Sequence, residues 1–234
     1  MKRLICFDLD GTLSQHRSPV FPKNRELLEA LSKKYKLVMV GAGAAERIYN
    51  QIGQFPIDII ANYGMQQSRM IDGVFTLVKQ DTSNPDKDYF LEKAKYLREK
   101  YGYTEFKGES VEFHDTGMAT FPLLGSKADI ADKLVFDPDR EKRKVMYPEV
   151  LELFSDYTVY IGGSSSFDFT EKKYNKYDAI MAYAEENGYK KEEILFVGDD
   201  FGDGGGDSHV RLGGMDYVEI TDYTKTAEKL AYLL

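Results

Sequence analysis

A chain of 234 residues, 42% hydrophobic and 30% charged, has the make-up of an ordinary globular protein with one large domain or two modest ones. Its net charge of −8 argues against nucleic acid as a partner, because neutralising a phosphate backbone takes clustered Lys and Arg. A single cysteine, Cys6, leaves no disulfide framework or zinc cluster and suits a reducing cytoplasm, and no apolar window approaches a membrane span.

Leu4-Ile5-Cys6-Phe7 reads as a short buried strand, cut by Asp8 and too short for a signal peptide. Asp8 and Asp10 follow at i and i+2, and Gly11 lets the backbone turn sharply. Both carboxylates thus stand at the carboxyl end of a strand, where ligands bind in open α/β sheets. Leu27, Leu28 and Leu31 then fall on one helical face. Lys36–Val40 is a second short strand, ending in Gly41-Ala42-Gly43-Ala44. The Gly-x-Gly there lacks the third glycine of a dinucleotide site. The N–H groups of Gly43 and Ala44, at a predicted helix start, are instead candidate phosphate donors. Ile57–Ala61 is a further strand, and residues 66–80 form a hairpin about Asp72-Gly73.

The polar, turn-rich run Thr82–Asp86 marks a domain junction, and the next residues change character. Asp88–Tyr103 is an amphipathic helix ended by Gly102. Ser110–His114 and Met118–Leu123 read as paired strands, Asp129–Leu153 as one or two helices, and Thr158–Gly163 and Ser166–Thr170 as further strands. Beyond them Asn175 caps a helix with Asp178 in its first turn and Gly188 after its end. Ile194–Gly198 is a buried strand ending in carboxylates, and Tyr217–Leu234 supplies a last strand and a closing helix. The predicted fold is α/β: a doubly wound, mostly parallel core from residues 1–81 and 173–234, with an α+β cap at 82–172.

A second acidic constellation, Asp199 and Asp200 with Asp203 and Asp207 among glycines, lies at the far end of the chain. Its carboxylates are hard oxygen ligands suited to Mg2+, and a cation there would relieve repulsion between a phosphate and Asp8 and Asp10.

The stretch Phe7–Thr12, FDLDGT, resembles motif one of the haloacid dehalogenase-like phosphotransferases. The resemblance implies that Asp8 is the nucleophile and Asp10 the general acid and base. Chemistry agrees: a carboxylate forms an acyl phosphate that water can cleave, while a second carboxyl must protonate the departing alkoxide and deprotonate the water. Gly43 stands at the motif-two position, where the family carries a Ser or Thr hydroxyl. Gly198–Asp207 resembles motif four, with Asp199 the leading metal ligand; Asp207, following three glycines, is preferred to Asp203 as the next.

The longer Asp199-to-Asp207 form is similar to that of the eukaryotic-type phosphomannomutases, as are GESVEFHDTGMATFPLLG and IGGSSSFDFTEKKYNKYD. That alignment places Lys176 on the motif-three lysine, which neutralises phosphate. Independently, a lysine at a helix start opposes the dipole unless an anion is nearby. Ser166 and Asp168, on one strand face, match cap residues that bond sugar hydroxyls. Mutases of this type grip a distal phosphate with cap arginines. Here those positions are Lys107, His114, Ser126 and Lys133, with Lys127 beside Ser126, and lysine lacks the guanidinium fork.

The resemblance therefore implies Mg2+ held by Asp8, Asp10 (through its carbonyl), Asp199 and Asp207. Lys176, Gly43 and Ala44 hold the phosphate, and His114, Lys133, Ser166 and Asp168 meet the rest of a small phosphorylated metabolite. Hydrolysis of a sugar phosphate through phospho-Asp8 is the leading expectation. A phosphohexomutase is second, and a low-activity binding protein, motivated by Gly43, is third. Cap-to-cap homodimers occur in the resembling family, and nothing in the composition decides between monomer and dimer.

Overall fold

The structure, a computed structural model, describes residues 1–234. Its chain divides into two compact units, Met1–Asp81 with Tyr174–Leu234, and Thr82–Lys173. No helix is long and apolar enough to cross a membrane.

The first unit opens with β1 (Leu4–Phe7), α1 (Pro22–Leu31), β2 (Lys36–Val40), α2 (Ala45–Gln51), β3 (Asp58–Ala61), β4 (Gln66–Ile71) and β5 (Val74–Gln80). The inserted unit contributes α3 (Lys87–Tyr101), β6 (Glu112–Phe113), β7 (Ala119–Pro122), α4 (Ile130–Phe136), α5 (Glu141–Leu153), β8 (Tyr157–Tyr160) and β9 (Ser166–Glu171). The chain then returns through α6 (Lys176–Glu186), β10 (Ile194–Gly198), α7 (Ser208–Leu212), β11 (Tyr217–Glu219) and α8 (Thr226–Lys229).

The first unit is an α/β fold on a seven-stranded sheet of order β11-β10-β1-β2-β3-β4-β5. Strands β11 through β3 are parallel, and β4 and β5 add an antiparallel hairpin. Burial on both faces explains the unbroken apolar runs. Ile5, Phe7, Met39 and Val197 pack with Leu27 and Leu28 of α1, whereas Leu4, Cys6, Val38 and Phe196 pack with Ile180 and Tyr183 of α6. Phe7 is in register with both Met39 and Val197, so Asp8, the Gly41 loop and Asp199 leave the sheet along one edge.

In the inserted unit the antiparallel order is β6-β7-β9-β8. Phe90 of α3 sits at the centre of its core, with ring centroids 4.8 Å from Phe154 and 5.2 Å from Phe169. The predicted strand 110–114 shrinks to Glu112–Phe113, where the buried Arg98 guanidinium takes the Ser110 carbonyl that a ladder would use and also bonds the Ser110 hydroxyl. The charged stretch 129–153 forms two helices, α4 and α5, parted near Arg140.

The predicted closing helix is a correction. Residues 223–233 fold as two 3-10 turns around the four-residue α8. Side-chain bonds pin this segment: Asp222 caps Thr224, the Thr226 hydroxyl donates to the Thr12 carbonyl, and Asn24 accepts from the Ala227 N–H. Such local bonds compete with a continuous helix.

Candidate active site

Two strand ends and one helix start build the site. Asp8 continues β1 and is buried, and Gly11 turns the chain back at φ +90°, a region that favours glycine. A Cβ at Gly11 would also meet the Asp199 carboxylate, so this glycine permits the approach of two chain segments. Asp199 follows β10, and the glycine-rich loop folds back so that the Asp207 N–H reaches the Asp200 carbonyl at 2.9 Å. That fold buries Asp207 completely, while the Asp203 side chain is 98% exposed and touches only Arg211, at 3.4 Å. The loop thus selects Asp207, not Asp203, for the acidic cluster.

Lys176, first residue of α6, supplies the cation. The Asn175 side chain accepts from the Asp178 N–H at 2.9 Å, capping the helix. The buried Lys176 ammonium then stands 2.6 Å from Asp8 Oδ1 and 2.7 Å from Asp207 Oδ1. The anions that its position against the helix dipole required are these two carboxylates. Asp207 Oδ2 accepts the Asp199 and Asp200 N–H groups at 3.2 and 3.0 Å, and Thr12 Oγ1 donates to Asp199 Oδ1 at 3.1 Å.

Charge is unbalanced here. Ligand oxygens of Asp8, Asp199 and Asp207 lie within 4.8 Å of one another, against the single ammonium of Lys176. Burial pushes the Asp8 carboxyl up to about 7, against the pull of Lys176 and with help from Asp207 and Asp10. Burial and then the Asp8 charge also raise Asp199. Lys176 is held above its ordinary value: burial opposes its charge, but Asp207 and Asp8 outweigh it. Such a donor set, all hard oxygens short of positive charge, fits a divalent cation such as Mg2+. A groove of about 610 Å³ opens beside Gly11 and Asp199, walled by Ile220 to Tyr223.

Asp10 lies apart from that cluster. Its Oδ1 accepts the Arg17 N–H at 2.8 Å and Gln51 Nε2 at 2.6 Å, while Arg47 and His16 stand 3.6 and 3.7 Å from Oδ2. One oxygen is clamped and the other faces the Arg47 guanidinium and the His16 ring.

With this geometry in place, a family model described as haloacid dehalogenase-like hydrolase matches residues 76–204, more than half of the chain. The chain belongs to this family. A phosphomannomutase from Saccharomyces cerevisiae is 26% identical over 233 residues, covering 94% of this chain and 85% of that protein. One from Encephalitozoon cuniculi is 22% identical over 220 residues, covering 89% and 84%. The fold is similar to that of a truncated Plasmodium falciparum IMP-nucleotidase, with a TM-score of 0.68 at 14% identity, covering 100% of this chain and 70% of that one. It is also similar to BT1666 of Bacteroides thetaiotaomicron, described among phosphatases of this superfamily, with a TM-score of 0.62 at 15% identity over 100% and 95% of the chains. These last likenesses show the fold.

Within this haloacid dehalogenase-like framework, Gly43 and Ala44 at the motif-two position lead from β2 into α2. Ala44 precedes an α2 of only seven residues, and the Ala45 N–H is taken by Gln66 Oε1 at 3.0 Å. The Gly43 carbonyl accepts the Asn62 N–H at 3.0 Å. Over Gly43 lies the guanidinium of Arg47, which a Cβ would strike.

In the inserted unit, the predicted substrate residues are joined through one that sequence reasoning missed. Thr120 Oγ1 donates to Asp168 Oδ1 at 2.9 Å and meets His114 Nε2 at 2.9 Å. The single hydroxyl proton is spent on Asp168, so His114 donates through Nε2. Ser166 Oγ donates to the Gly162 carbonyl at 3.1 Å, and Lys133 Nζ to the Ser126 carbonyl at 3.0 Å. Lys107 pairs with Asp129 at 2.7 Å. Gln51, Arg47, Arg17 and Thr120 carried no motif signal; Thr12 stood inside the first motif without an assigned role.

Proposed function

We propose that this protein is a Mg2+-dependent phosphohydrolase acting on a small phosphate ester, a sugar phosphate, through a phospho-Asp8 intermediate. The observation that carries the reading is the buried Lys176 ammonium bridging Asp8 and Asp207 with Asp199 in reach, a nucleophile and an electrophile clamp assembled from both ends of the chain. With Lys176 on Oδ1, Asp8 Oδ2 attacks phosphorus. Asp10 protonates the leaving oxygen; its Oδ2 is the available atom, since Oδ1 is committed to Arg17 and Gln51. Asp10 then takes a proton from water, whose oxygen attacks phosphorus, releasing Asp8 and inorganic phosphate. Asp8, Asp199, Asp207 and the Asp10 carbonyl would hold Mg2+, which would supply charge neutralisation for the phosphoryl oxygens. Lys176 keeps the Asp8 carboxylate oriented and offsets the phosphate charge.

Hydrolysis is favoured over isomerisation by the inserted unit's lysines. Lys107 is occupied by Asp129, with Asp132 at 3.9 Å, and neither it nor Lys133 offers a fork for a second phosphate. The second reading, a phosphohexomutase, is supported by the phosphomannomutase relatives, which align over most of their length. The deciding assay supplies Mg2+ and mannose 1-phosphate or glucose 1-phosphate, with and without a hexose 1,6-bisphosphate. Release of inorganic phosphate, abolished in Asp8→Asn and without hexose 6-phosphate, is expected. Bisphosphate-dependent hexose 6-phosphate would replace this reading with the mutase.

A further inference from the structure

Gly43 and Arg47 stand one helical turn apart at the start of α2, and they fit each other. The Arg47 guanidinium lies so close to the Gly43 α-carbon that a Cβ there would overlap its Nη2, Cζ and Nε atoms. Any side chain at 43 would therefore expel Arg47 from this position. Gly43 follows β2, which is in register with β1, so the guanidinium is placed along the strand-end edge that carries Asp8 and Asp10. It reaches Asp10 Oδ2 at 3.6 Å, its nearest carboxylate contact, and spends one short bond, 2.6 Å, on the neutral Gln51 amide oxygen. A guanidinium carries five donors, so most of its capacity is unspent. Its side chain is 36% exposed, open to an incoming anion.

We infer that Arg47 is a phosphate-binding residue of this site, and that residue 43 is glycine because the guanidinium occupies the place a side chain would take. The inference rests on the phosphoryl-transfer reading given above. Arg47 brings a planar fork that can take two phosphate oxygens at once, which a hydroxyl cannot. With Lys176 at Asp8, it gives the transferring group a second cation on the Asp10 side. The bland alternative is that Arg47 merely steadies Gln51, which in turn holds Asp10.

The test is calorimetric titration of inorganic phosphate into the full chain with Mg2+, with melting curves to show that each variant folds. Arg47→Ala is expected to weaken phosphate binding about tenfold to a hundredfold, the range for a hydrogen bond to a charged group. Arg47→Lys recovers part of the loss. Gly43→Ala, which keeps the arginine but displaces it, loses about as much as Arg47→Ala, and the double variant loses no more than either. Unchanged affinity in Arg47→Ala overturns the inference, as does a parent protein that binds no phosphate. A Gln51→Ala variant that weakens phosphate as strongly as Arg47→Ala would assign Arg47 to positioning instead. Ester hydrolysis is measured alongside. If Asp8→Asn abolishes it while Arg47→Ala leaves phosphate affinity intact, only the Arg47 role fails; if hydrolysis survives Asp8→Asn, the reaction itself is wrong.

Discussion

The two units handle buried charge in opposite ways. In the inserted unit every buried cation is closed off by its own surroundings. Arg98 donates to the carbonyls of Tyr103, Ser110, Pro122 and Leu123, and Arg143 pairs with the equally buried Asp137 at 2.8 Å while holding the Gly162 carbonyl at 2.7 Å. Even the polar chain His114–Thr120–Asp168 is internally matched, donor to acceptor. In the first unit, Asp8, Asp199 and Asp207 crowd around one ammonium. Satisfied charge builds structure, whereas a deficit of positive charge leaves a place for a ligand that brings it. That contrast is the reason the proposed chemistry is assigned to the acidic cluster of the first unit and not to the buried arginines of the inserted one.

Removing the one cation should therefore have the largest effect. Lys176→Met leaves Asp8 and Asp207 buried without a counter-charge, the situation in which breaking a buried pair costs about 3–5 kcal/mol. Urea unfolding at pH 8 without divalent ions is expected to show a loss of that order, with Mg2+ restoring part of it. Hydrolysis should be lost together with stability. An unchanged urea midpoint would mean that the ammonium is not what offsets the acidic cluster.

The deficit also has a pH signature of intermediate size. Asp8 is lifted to about 7, chiefly by burial, against Lys176 and with Asp207 and Asp10 adding to the rise. A carboxyl raised above its unfolded value binds a proton more readily in the folded state, so its contribution to stability falls as pH climbs through about 7. Mg2+ needs the carboxylate and competes with that proton. Apparent Mg2+ affinity should drop at least about tenfold for each pH unit below 7, more where the raised Asp199 also holds a proton, with proton release on binding at pH 6. The Mg2+-induced rise in melting temperature should accordingly be larger at pH 8 than at pH 5.5. A pH-independent shift would place the ion elsewhere.

How far the sequence discloses this site follows from how each residue is brought there. Asp8 and Asp199 end unbroken apolar runs, and such runs announce buried parallel strands with their charges at the edge. Lys176 was legible through the resemblance to the motif-three lysine, and the cost of a cation at a helix start without an anion added support. Choosing between Asp203 and Asp207 needed the path of a loop that doubles back, which spacing does not describe. Gln51 and Arg47 look like ordinary polar positions on a short helix, and only the β1–β2 register brings them to Asp10. The closing segment failed for the opposite reason: its helical pattern is real, but Thr226 and Asn24 spend it on contacts far away in sequence.

The smallest effect belongs to the inserted unit, and it tests whether that unit's matched polar chain also reads a substrate. Thr120 sits on β7 opposite Asp168 of β9, in a strand whose alternation looks like any half-buried sheet. Thr120→Val keeps the shape and removes the hydroxyl, leaving Asp168 Oδ1 and His114 Nε2 without that partner. An interaction of this kind is worth about 1–3 kcal/mol when one side is left unmet. If Asp168 and His114 orient sugar hydroxyls, that loss should appear as a KM for a sugar phosphate raised about tenfold, with kcat for an aryl phosphate unchanged, because the aryl group offers no hydroxyls to orient. Equal losses on both esters would show that the chain only stiffens the sheet. Melting curves separate the two cases, since a purely structural role lowers the transition temperature without discriminating between substrates.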